Sequence, residues 1–60
     1  MCEFTVFIGN EVVCTDVVYV KAEADRVIVK DALGASKTFE KCRIIEVDVG
    51  SERLALVSTK

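Results

Sequence analysis

The chain has 60 residues, 52% of them apolar, and ten acids against eight bases give a net charge of −2. That length holds one domain, residues 1–60, and the acidic balance with scattered Lys and Arg excludes a phosphate-binding track for nucleic acid. His, Pro and Trp are absent, so there is no imidazole base and no Ser-His or Cys-His nucleophile pair, and the chain reads as a non-enzyme.

The pattern along the chain is strand-like almost throughout. In CEFTVFI, Phe4, Val6 and Ile8 share one face, and Glu3, Thr5 and Phe7 the other. Gly9-Asn10 is a turn dipeptide leading into EVVC, a first hairpin. Thr15-Asp16 marks a corner before VVYVKAE, which alternates Val18, Val20 and Ala22 against Val17, Tyr19 and Lys21. A polar tip at 23–25 returns the chain through RVIVKDA, and LGAS at 33–36 turns it into KTFE. RIIEVDV is expected to bury Ile45, Val47 and Val49 and to expose Glu46 and Asp48. After a turn at 50–52, RLALVS alternates Leu54 and Leu56 with Ala55 and Val57.

These segments predict an all-β fold: a small six- or seven-stranded barrel in which all neighbours are antiparallel, closed to hide its edges. The expected core is Phe4, Val6, Ile8, Val18, Val20, Ile45, Val47, Leu54 and Leu56. A domain of about 60 residues buries only about 60% of its unfolded surface. So large an apolar fraction therefore predicts a partner surface, most simply a homodimer. No apolar run is long enough for a membrane span. No secretory signal is expected, and three unpatterned cysteines point to reduced thiols in a cytoplasm.

The thiols differ in setting. Cys14 ends an apolar segment and reads as core filler. Cys42 lies between Lys41 and Arg43, a setting that would raise its reactivity were it exposed. Cys2 contributes little to a core but has unusual donors beside it. The α-amine, a backbone amide nitrogen and the thiolate can bind one metal in adjacent chelate rings, with Met1 retained or removed. Nitrogen–sulfur sets of this kind suit Ni(II) or Cu(II) rather than oxygen-seeking Mg(II) or Ca(II).

The opening Met1-Cys2-Glu3, then TVFIGNEVV, DVVYVKAEADRVIVKDALGASKTFE, RIIEVDV and the closing RLALV, together resemble the CooT-type family of small nickel-binding proteins over nearly the full chain. The resemblance implies a homodimeric small β-barrel of SH3-like form. It further implies a Ni(II) site at Cys2 and a role in maturing a nickel enzyme, carbon monoxide dehydrogenase. Cys14 and Cys42 match no motif of that family. Some relatives are labelled RNA-binding, which keeps a second reading: a small β-barrel interaction module for RNA or protein, with Cys2 incidental. In a dimer, two Cys2 thiolates would share one nickel if brought together; otherwise each chain would bind its own.

Overall fold

The computed structural model describes residues 3–59. Its six strands are β1 (Phe4–Ile8), β2 (Glu11–Glu23), β3 (Arg26–Asp31), β4 (Ser36–Glu40), β5 (Cys42–Asp48) and β6 (Arg53–Ser58). They form one sheet in the order β4-β3-β2-β1-β6-β5, and the described residues contain no helix. The all-β class follows the period-two pattern, and six strands result because EVVC and VVYVKAE are one strand. Asp16 is a bulge residue within it, at φ 58°, between the pairs Phe4↔Val17 and Val6↔Cys14. A bulge adds a residue to one strand and bends it. The predicted corner is thus present as a bend rather than a break.

One pairing corrects the expectation of antiparallel neighbours throughout. β1 and β6 run parallel, with Val6 beside Leu54 and Ile8 beside Leu56. Parallel neighbours need a long crossover, and β2 to β5 supply it. The other four pairings are antiparallel. The sheet curls without closing into a continuous ladder, and β4 and β5 are its edges. A single residue, Lys41 at φ 54°, separates these two edges in the chain and turns it sharply. The curl brings β5 near β3, where the Cys42 N–H donates to the Asp25 carbonyl at 3.1 Å.

The core is Val6, Val17, Val27, Val29, Cys42, Leu54 and Leu56. Phe4, Ile8, Val13, Cys14, Phe39 and Ile44 pack against it. Val6, Leu54 and Leu56 are buried as expected, and Phe4 and Ile8 lie at the margin. The other expected core positions are exposed, two because of bulges and two because of where they lie on the inner face. Val18 is the unpaired residue between Val17↔Asp31 and Tyr19↔Lys30, so Val17 takes the inner place. Ile45 is the extra residue between Ile44↔Leu56 and Glu46↔Ala55, so Ile44 packs inward while Ile45 is 64% exposed. Val47 opposes Leu54 and Val20 opposes Val29. Both therefore share the inner face, yet both lie where that face opens to solvent.

Candidate metal centre

Cys2, the residue on which the sequence centres metal binding, lies outside the described residues. The first strand after it in the chain is β1, which begins at Phe4. Phe4 pairs with Val17 of β2. On the other side the Thr5 N–H donates to the Glu52 carbonyl at 2.9 Å, and Thr5 stands beside Arg53 of β6. The start of β1 is thus held from both flanks. Glu52, at φ 57°, places its carbonyl toward β1 from a turn that Asp48 organises. Asp48 Oδ1 accepts the Ser51 N–H at 3.2 Å. Hydrogen bonds from Ser51, first its N–H and then its hydroxyl, hold the Asp48 carboxyl below the ordinary Asp value of 3.8.

The other two thiols sit in different surroundings. Cys42 is 5% exposed and packs in the core cluster. The flanking charges of Lys41 and Arg43 therefore do not make it an accessible thiol. Cys14 opposes Val6, so it faces inward, but it is only half-buried. Cys14 packs against the core as expected but only from its margin, and Cys42 is the more deeply buried of the two.

Cys14 lines a cavity of about 130 Å³ together with Asp31, Ala35, Ser36 and Lys37. Lys37 comes from edge strand β4, opposite buried Val29, and reaches across to β2, where its Nζ donates to the Val13 carbonyl at 3.2 Å. Asp31 is turned toward the β3–β4 turn, its Oδ1 accepting the Leu33 N–H at 2.9 Å and the Ala35 N–H at 3.0 Å. Sequence reading missed this cleft. Asp31 at a turn is recognisable from its residue type, but Lys37 meeting Val13 requires the curl of the sheet.

Among the described residues no three His, Cys, Asp or Glu side chains are grouped to hold a metal. The chain also has no His to supply a neutral nitrogen ligand. Tyr19 is 44% exposed with the Lys30 ammonium 4.8 Å from its ring centre. No helix among the described residues is long and apolar enough to cross a membrane.

Fold and site together define a small curled β-sheet protein, compatible with SH3-like folds, that has no pre-assembled metal cage among its described residues. A family model described as CO dehydrogenase accessory protein CooT matches residues 1–56, and the chain belongs to that family. Membership implies an accessory role to CO dehydrogenase. The matched span includes Cys2. No curated protein matches the chain.

Proposed function

We propose that this protein is a cytoplasmic, non-catalytic Ni(II) carrier. It takes the ion as cargo through the Cys2 thiolate and passes it to an apo nickel enzyme, carbon monoxide dehydrogenase. The observation that carries this reading is the family match over residues 1–56, which spans Cys2. Donor chemistry supports it. Thiolate with backbone nitrogen suits Ni(II), and a chain without His has few competing soft or nitrogen ligands. With Cys42 in the core, the choice of thiol narrows to Cys2 and Cys14. A site with few protein ligands keeps positions open for an incoming acceptor ligand, which suits transfer better than a closed four-ligand cage.

The protein acts as a homodimer in this reading. Ile45, Val47, Val49, Val12 and Leu33 are all at least half exposed, more apolar surface than a chain this small leaves uncovered without cause. Light scattering at micromolar concentration is expected to give twice the 6.6 kDa chain mass; a mass of one chain would refute the dimer. Transfer is tested by incubating Ni(II)-loaded protein with apo carbon monoxide dehydrogenase in the presence of a chelator. Activation that exceeds free Ni(II) under the same chelator supports delivery, and activation no greater than that of free Ni(II) rejects it.

A further inference from the structure

We infer that Lys37 makes the Cys14 cleft exclude cations, so that a chain with several thiols offers only Cys2 to the metal. This rests on the nickel reading and adds to it a residue that determines which thiol is used.

The Cys14 cleft has the makings of a metal site. A thiol, a carboxylate and a hydroxyl, from Cys14, Asp31 and Ser36, line one small cavity. Two features oppose that use. The Asp31 Oδ1 already accepts two backbone N–H groups, from Leu33 and Ala35, and withdrawing it would cost the β3–β4 turn both bonds. The lining also includes a basic residue: Lys37 borders the cavity, and its ammonium donates to a neutral carbonyl, that of Val13. Among the described residues no carboxylate pairs with it. The other charge in the lining, the Asp31 carboxylate, is engaged by two backbone N–H groups, so a divalent ion approaching the thiol is opposed by Lys37, and a small anion is attracted by it.

The position of Lys37 follows from the fold. Its strand is a sheet edge, and its partner Val29 is buried, so its side chain starts on the inner face. The face opens between β4 and the first half of β2, and the long lysine stem spans that opening while its charged end reaches a polar acceptor. Lysine at a sheet edge also discourages edge pairing. Here its ammonium is turned across the molecule to Val13, which an edge-guarding role alone does not require.

The test uses two methanethiosulfonate reagents, one carrying a sulfonate and one a quaternary ammonium, on the Cys2→Ser protein. The Cys14 thiolate attacks the reagent's sulfenyl sulfur, forms the mixed disulfide and expels methanesulfinate. Modification at Cys14 is followed by peptide mass spectrometry, and each rate is normalised to the same reagent on the denatured chain. The normalised anionic rate should exceed the cationic rate by about tenfold, as expected for a unit charge several ångströms away at a wet surface. Lys37→Gln should bring the two rates together, and Lys37→Arg should keep them apart. A ratio unmoved by Lys37→Gln in a folded protein overturns the inference. A Ni(II) titration of the same proteins separates it from the reading beneath it. Nickel bound by Cys2→Ser and lost on adding Cys14→Ser contradicts the role of Lys37. Nickel bound by Cys2→Ser with parental affinity, and retained after Cys14→Ser, rejects Cys2 as the site and leaves the reagent ratio to stand by itself.

Discussion

β5 and β6 are antiparallel neighbours with similar apolar content and opposite fates. Leu54 and Leu56 of β6 are 2% and 1% exposed, while Ile45 and Val47 of β5 are 64% and 55% exposed. Hydropathy does not separate them; position does. β6 lies between β1 and β5, and β5 is an edge. The bulge at Ile45 then resets the inward phase, so that Cys42, Ile44 and Val47 oppose Ser58, Leu56 and Leu54. The lesson is that in a small curled sheet the interior strands carry the core. An edge strand with equal apolar content presents surface that a partner must cover or solvent must tolerate.

The largest effect should come from breaking the buried side of this comparison. Leu56→Ala is expected to cost about 2–5 kcal/mol. That is most of what a domain this small has to lose, so its urea transition should move close to or below zero denaturant. Ile45→Ala in the same assay, run at a concentration where the protein is monomeric, should stay within about 0.5 kcal/mol of the parent. Equal losses at the two sites would contradict the assignment of Leu56 to the core and Ile45 to the surface.

Next in size is the first residue of β5. Cys42 is the buried anchor of that strand, and Cys42→Ser places a hydroxyl among Val and Leu side chains at a cost of about 1–3 kcal/mol. Cys14→Ser, at a half-buried cleft, should cost clearly less, and chemical denaturation of the pair orders them directly. A smaller effect is expected at Lys41, whose φ of 54° lies in the left-handed region. Lys41→Val should lose about 1–2 kcal/mol, whereas Lys41→Gly should be neutral or better, as thermal unfolding of the two variants would reveal.

The smallest effect is electrostatic. Asp48 closes β5 by accepting Ser51 N–H, and its carboxyl titrates below the ordinary Asp value. Glu23 titrates below its ordinary 4.5 because Arg26 donates to it and lies beside it, with Lys21 adding a further charge. A depressed carboxyl contributes stability that is present above the unfolded value and is lost as pH falls through the folded one. Stability should therefore decline modestly below pH 4, both groups being at the surface. Asp48→Asn should flatten part of that slope; an unchanged slope in both Asp48→Asn and Glu23→Gln would remove these groups as its source.

Much of the fold was legible because alternation of apolar side chains is a local signal. Turns at 9–10, 23–25, 33–36 and 50–52, and the burial of Val6, Leu54 and Leu56, all follow from it. Three things were not local. Bulges at Val18 and Ile45 shift the phase of a strand without any sequence punctuation, unlike the one at Asp16, and they misplace Val18 and Ile45. The parallel contact of β1 with β6 depends on where the chain returns after the crossover. The burial of Cys42 depends on the curl that carries β5 toward Asp25. For the site, the sequence pointed to Cys2 through donor chemistry and family resemblance, and the family match spans that residue. The cleft of Cys14 and Lys37 joins residues from three strands and the turn between two of them, and no spacing rule could bring them together.

Whether Cys2 alone carries the nickel is decided by Ni(II) titration of the parent beside Cys2→Ser, Cys14→Ser and Cys42→Ser, followed by thiolate-to-nickel absorption. The parent, Cys14→Ser and, where it remains folded, Cys42→Ser should develop the band and saturate, while Cys2→Ser should show neither band nor tight binding. Nickel affinity unchanged in Cys2→Ser would contradict the account.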